Sequence, residues 1–306
     1  MDRAPRFMAR TKSFQRRSRD LSPALAAAFE AGKANHLLEV PRDEGMTSVD
    51  PSLVLDPHTL FPQDAPMVVE VGSGRGEQIL HTASCHPEKN FLAFEVWVPG
   101  VARLVAAAAK EGLTNLKVVE ADAQQALKTL LPAQSVAELW TFFPDPWRKS
   151  KHRKRRLVAA DFAQTAARIL EDQAVWRMAT DWADYAVQML QVIEASPDFD
   201  NPYGDQILNE VLDAATAADL AEGALVPEQG GFAPRFAGRV QTHFEERGHD
   251  AGRVAYDLMA IRVPRPTREL SDPRHRDDRN GGARTGAGPG SPEDSGGVGG
   301  SETGTQ

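Results

Sequence analysis

The chain has a single cysteine, Cys85, among 306 residues. One thiol excludes an internal disulfide framework and fits a reducing compartment. Long apolar runs are also missing. Nothing approaches the roughly 18–20 consecutive apolar residues of a membrane-spanning helix, so no membrane partner is expected. The Arg-rich start lacks the apolar stretch of a secretory signal, which points to a cytoplasmic protein and leaves a transit peptide as the weaker alternative. The eight histidines are scattered and show no ligand cluster at suitable spacing, so no metal is expected. Net positive charge is absent too: the formal charge is −8, which alone argues against a nucleic-acid partner.

The distribution of charge reverses that last inference, because binding follows the local field. Arg3 to Arg19 carry seven Lys or Arg and no acid, and Arg148 to Arg156 carry seven in nine positions beside His152. Hydrophobic residues at 41% and charged residues at 25% are ordinary for a globular chain. Residues 1–40 read as a basic N-terminal arm and a short helix, the latter begun by Ser22-Pro23 as N-cap and first residue. Residues 41–265 read as the main domain, entered through a Pro-rich connection over 41–66. Residues 266–306, with ten glycines in 281–306, cannot bury enough apolar area to order themselves and read as a disordered tail.

Inside the main domain, β-rich runs occur at 67–71, 91–96, 116–119, 136–143 and 175–178. Helical patterns follow them at 76–85, 100–110, 123–131, 157–170 and 182–194. Five such units predict a parallel sheet with helices on both faces, a doubly wound Rossmann-like α/β fold. Residues 254–263 add a late strand, and 196–238 fit no pattern.

The first strand runs into Glu70-Val-Gly72-Ser-Gly74-Arg-Gly76-Glu77. A dinucleotide fingerprint needs glycine where Glu77 stands, and a carboxylate there opposes a pyrophosphate. An acid before alternating glycines suits a cationic nucleoside instead, S-adenosylmethionine, with its sulfonium and ammonium. Glu95 closes the second strand, where a carboxylate can accept both ribose hydroxyls. Asp122 follows the third, suited to the adenine amino group. The fourth strand ends in Phe143-Pro144-Asp145-Pro146-Trp147, where two prolines pin an aspartate at the sheet's carboxyl edge. Its two oxygens match the paired N1–H and N2–H₂ donors of guanine. The basic run that follows, Lys149, Lys151, His152, Arg153, Lys154, Arg155 and Arg156, calls for a phosphate counter-charge. Asp181 ends the fifth strand.

These segments, with Lys154-Arg-Arg156, Ala179-Thr-Asp-Trp182 and Thr242-His-Phe-Glu-Glu-Arg-Gly248, resemble the bacterial tRNA (guanine-N7-)-methyltransferases in order over about residues 67–262. The resemblance implies the class I S-adenosylmethionine-dependent methyltransferase fold and transfer of a methyl group to N7 of guanine 46 in the tRNA variable loop. It implies that Glu70, Gly72, Gly74, Glu95, Asp122 and Asp145 meet the cofactor, Asp145 being also catalytic. It further implies that Lys149, Asp181, Thr242, His243, Phe244 and Glu245 meet the substrate and Lys151 to Arg156 the RNA. The chain departs from the family pattern at Ser73, Trp97-Val98 and His243. Two rival functions stay open on sequence: methylation of a small molecule or protein, and a non-catalytic RNA-binding module. The oligomeric state reads as monomer or homodimer.

Overall fold

The computed structural model describes residue 14, residues 20–206 and residues 230–265. The rest of the basic arm, residues 207–229 and the expected tail lie outside the described residues.

Seven strands form one sheet: β1 (Met67–Val71), β2 (Asn90–Glu95), β3 (Leu116–Glu120), β4 (Val136–Phe142), β5 (Leu170–Thr180), β6 (Phe199–Asp200) and β7 (Tyr256–Arg262). Their order is β3-β2-β1-β4-β5-β7-β6. β1 to β5 are parallel, and β7 runs antiparallel to β5 and β6. Strand progression reverses between β1 and β4. In an open parallel sheet that reversal leaves a crevice at the strands' carboxyl ends.

Helices cover both faces: α1 (Pro23–His36), α3 (Glu77–Cys85), α4 (Val98–Glu111), α6 (Ala160–Ile169) and α7 (Ala183–Glu194), with single turns α2 (Pro57–Leu60) and α5 (Ala123–Ala126) and a later α8 (His243–Asp250). Strand residues alternate between two cores. Val69, Leu92, Phe94 and Trp176 join one with Phe162 and Tyr185, while Val68, Phe91, Ala93 and Trp140 join the other with Ile79 and Leu104. α1 starts as the sequence predicts, with Ser22 as N-cap accepting from the Leu25 N–H at 3.3 Å.

Several boundaries differ from expectation, each for a local reason. The helix expected over 123–131 is regular only to Ala126; beyond it the Arg168 guanidinium takes the carbonyls of Leu127 and Leu131 at 2.6 and 2.9 Å. The helix expected from 157 begins at Ala160, since the Val158 N–H donates to the buried Tyr185 hydroxyl at 2.9 Å. β5 starts five residues earlier than its apolar run. Its exposed Glu171-Asp172-Gln173 segment bulges, with Gln173 at φ 70°, and Asp172 pairs with Arg265. The Pro-rich connection holds α2, capped by Asp56 through the His58 N–H at 3.1 Å. The unassigned 196–238 stretch supplies β6 and a bridge from Ala233 to Asp257.

Among the described residues, no helix is long and apolar enough to cross a membrane.

α4 begins hard against the turn that follows β1. A Cβ on Gly100 would stand 2.0 Å from the Gly74 carbonyl oxygen, so only glycine lets the two segments touch. Gly100→Ala should force them apart and cost about 1–3 kcal/mol, as overpacking does. Denaturant unfolding measures it; an unchanged midpoint would mean the packing there is slack.

Candidate active site

A cleft opens over the carboxyl ends of β1, β2 and β4, at the strand-order reversal, and Glu70, Glu95, Asp122 and Asp145 all line it. β1 leads into a turn in which Gly72, Gly74 and Gly76 have φ of 78°, 59° and 81°, a conformation that side chains resist. Glu95 clamps this turn. Its Oε2 accepts from the Gly74 N–H at 2.6 Å, and its Oε1 accepts from the Val96 and Trp97 N–H groups at 2.7 Å each. Asp122 caps α5, accepting from the Gln124 N–H at 3.1 Å. Both acids thus have a structural duty that their strand-end position alone did not reveal.

Glu70 lies deeper. Its Oε2 is buried and accepts no hydrogen bond. Burial, and next the nearby Glu95 carboxylate, push its pKa up to about 8. An orphaned acid beside a second acid lacks positive charge, so the residues present fit a cationic ligand. Among the described residues, no His, Cys, Asp or Glu group could hold a metal ion.

The Asp145 turn is held in an unusual backbone. Phe143 and Trp147 lie in the left-handed region at φ 49° and 42°, and prolines flank the aspartate between them. Such strain is of order 1–3 kcal/mol per residue and persists only where packing over-determines it. Here it does. The Phe143 N–H donates to the Ala179 carbonyl at 2.7 Å, and its ring lies 5.6 Å from Phe244. Trp147 is buried under the Arg155 guanidinium at 3.4 Å, with His152 edge-on at 5.9 Å. Asp145 is therefore rigidly presented to the cleft.

The basic run forms a 3-10 helix over Ser150–Arg155. Lys149, Lys151, Arg153 and Lys154 are exposed, although Arg153 also pairs with Asp184 at 2.6 Å. Arg155 donates to the Phe14 carbonyl at 3.2 Å, which brings that residue of the basic arm into the cleft wall. Arg156 is a correction to the expected RNA-facing set. It is only 3% exposed, donates to the Pro146 carbonyl at 2.7 Å and to Asp184 at 2.5 Å, and covers the Tyr185 ring at 4.8 Å. A guanidinium so enclosed cannot reach a phosphate.

Thr242, His243 and Phe244 line the cleft, while Asp181 and Glu245 do not. Asp181 accepts from Arg253 at 2.7 Å. Glu245 is buried against Arg239 at 2.5 Å and Arg235 at 3.3 Å. Thr242 is the N-cap of α8, accepting from the Glu245 N–H at 3.2 Å; the Thr-x-x-Glu spacing was a readable helix start. Two residues carried no such signal. Arg239, buried, joins Glu245 to Asp257 at 2.6 Å and lies 5.2 Å from the Phe143 ring. Gln78 on α3 donates to the Gly238 carbonyl at 2.9 Å and accepts from the Val240 N–H at 2.8 Å.

A family model described as "Putative methyltransferase" matches residues 64–230. A tRNA (guanine-N(7)-)-methyltransferase of Paenarthrobacter aurescens (strain TC1) is 40% identical over 275 residues, 82% of this chain and 91% of that protein. The proteins of the same name from Cutibacterium acnes and Hydrogenovibrio crunogenus are 38% and 35% identical, covering 82% and 85% of this chain and 83% and 94% of their own length.

The Glu70 environment has a measurable sign. Between its ordinary 4.5 and about 8 the folded protein holds a proton that the unfolded chain releases, so this group's contribution to stability falls as pH rises through that window. Glu70→Gln removes the effect. Ligand-free wild type should therefore lose thermal stability relative to Glu70→Gln as pH is raised from about 5 to about 8. Parallel melting profiles would show that Glu70 ionises without difficulty.

Proposed function

The chain belongs to the tRNA (guanine-N(7)-)-methyltransferase family, and from that membership we propose that it methylates N7 of guanine 46 in the variable loop of tRNA, in the cytoplasm, with Asp145 as the catalytic residue. The observation that carries this reading is the convergence, in one cleft, of the orphaned Glu70 acid, the clamped glycine turn and the rigid Pro144-Asp145-Pro146 turn.

When bound, S-adenosylmethionine supplies a methyl group already activated on a sulfonium. Guanine N7 has a lone pair and no proton, so no side chain has to act as a base before attack. The protein's task is positioning. Glu70 offers its unpartnered Oε2 to the cofactor's positive charge. Glu95 and Asp122 face the adenosine from the ends of β2 and β3, and Gly72 and Gly74 let the main chain approach it. Asp145 accepts from guanine N1–H and N2–H₂, which leaves N7 on the opposite edge of the ring free to face the donor. Its negative charge also favours the positive charge that develops on the base. Thr242, His243 and Phe244 border the space left for the nucleotide, and the base must leave its stack to enter. Lys149, Lys151 and Lys154 project outward from the turn beyond Asp145, where they can meet phosphates.

Transfer of tritiated methyl groups to bulk tRNA, followed by nuclease digestion, should yield 7-methylguanosine. Asp145→Asn should keep the circular dichroism of the wild type and lose about 10²–10³-fold in turnover, the usual effect of removing one preorganised group. Near-normal turnover in the folded variant would remove Asp145 from catalysis.

The basic run divides into two kinds of residue with different expected phenotypes. Lys151→Gln with Lys154→Gln should weaken tRNA binding, flatten log K against log salt by about 0.7–0.9 per phosphate and leave the melting temperature alone. Arg156→Ala should instead destabilise by about 1–3 kcal/mol, since it leaves the Pro146 carbonyl without its donor and Asp184 with Arg153 alone. Filter binding and denaturant titration separate them; a reversal of the two phenotypes would contradict this division.

A further inference from the structure

Three exposed arginines, two lining the cleft and one beside a cleft-lining ring, have no role in the chemistry described above. Arg75 stands at the apex of the glycine turn, and Arg247 lies on α8; both are exposed and both line the cleft. Arg103 is exposed on the first turns of α4, with its guanidinium 5.6 Å from the Trp97 ring. None of the three makes an ion pair among the described residues. Glu246, the exposed acid next to Arg247, faces His243 at 3.7 Å instead.

The elements that carry them are locked together. Glu77, two residues after Arg75, accepts from the His243 N–H at 2.9 Å, which fixes the start of α8 beside the glycine turn. Arg247 follows His243 by four residues and so lies on the same helix face. Gly100 packs α4 onto the same turn through Gly74. Two aromatic side chains also line the cleft, Trp97, which Arg103 approaches, and Phe244 in the first turn of α8. Phe244 keeps 39% of its surface exposed. Cations interleaved with accessible rings are the composition of a surface that tracks a flexible nucleic-acid strand.

We propose that Arg75, Arg103 and Arg247 form a second phosphate-binding rim, built from other elements than the Lys149–Arg155 run, which grips the tRNA backbone at the mouth of the cleft. The inference rests on the tRNA reading above. In a chain of net charge −8, these three exposed guanidiniums have no carboxylate paired to them among the described residues, and a phosphodiester provides the missing counter-charge. Arginine's planar fork suits phosphate oxygens better than a lysine point charge does. Two grips on separate elements would hold a strand on both sides of the nucleotide that enters, which helps to keep an unstacked base from falling back.

The test is the full-length variant Arg75→Gln/Arg103→Gln/Arg247→Gln, whose exposed positions leave the fold intact by circular dichroism. Filter binding of tRNA at several salt concentrations should give a slope reduced by about 2–3 in total, at about 0.7–0.9 for each phosphate no longer neutralised. The KM for tRNA should rise at least about tenfold, with kcat and the KM for S-adenosylmethionine unchanged. The weakening should add to that of the Lys151→Gln/Lys154→Gln variant, as expected for separate sites. An unchanged salt slope overturns the proposal. So does a rise in the S-adenosylmethionine KM alone, which would assign the arginines to the cofactor's carboxylate. Failure of the wild type to methylate tRNA would sink only the functional reading, because the slope is read from binding.

Discussion

One buried guanidinium, that of Arg239, ties together the parts of the cleft that no strand end provides. It binds Asp257 on β7 and Glu245 on α8 while lying against the Phe143 ring. Stripping water from such charges costs several kcal/mol per ion unless the geometry pairs them well. The arrangement supplies two carboxylates to this arginine, and Arg235 gives Glu245 a second partner. α8 is therefore fixed to β7 by charge, while β7 itself stays in the sheet through main-chain pairing with β5. Gln78 performs the neutral version of the same task, holding the segment before α8 to α3.

The same use of arginine recurs through the molecule. Arg156 secures the far side of the Asp145 turn to α7. Arg168 and Arg262 donate to main-chain carbonyls at the ends of helical segments. Lysines 149, 151 and 154 point outward. The division follows from chemistry: a planar guanidinium is weakly hydrated and satisfies several acceptors at once, while an ammonium holds its water. An acidic chain thus places part of its positive charge inside as structural ties and keeps the remainder for its surface.

Most of the sheet was legible in the sequence because parallel strands buried on both faces read as continuous β-rich runs. Met67–Val71 is such a run, and its bounds match. The start of β5 was not legible, since Glu171, Asp172 and Gln173 carry no apolar signal and Asp172 is held by Arg265, 93 residues later in the chain. At the site, Asp145 was readable because proline restricts the backbone in a way sequence displays. Glu70 was readable by its position before the glycines, but not its lack of a partner. Arg156 was misread because a run of charge says nothing about which member turns inward. Arg239 and Gln78 are single polar residues in an irregular stretch, and only three-dimensional neighbours give them meaning.

The left-handed Phe143 and Trp147 have a consequence for how this segment can vary. The main chain at each position favours glycine or asparagine, whereas the surroundings demand a ring: Phe143 meets Phe244, and Trp147 lies under Arg155. No single residue type satisfies both demands. A substitution that relaxes the backbone empties the packing, and one that keeps a ring keeps the strain. Gradual drift through intermediate residues is therefore blocked at both ends of the turn, and the aspartate between them inherits a frame that changes as a whole or not at all.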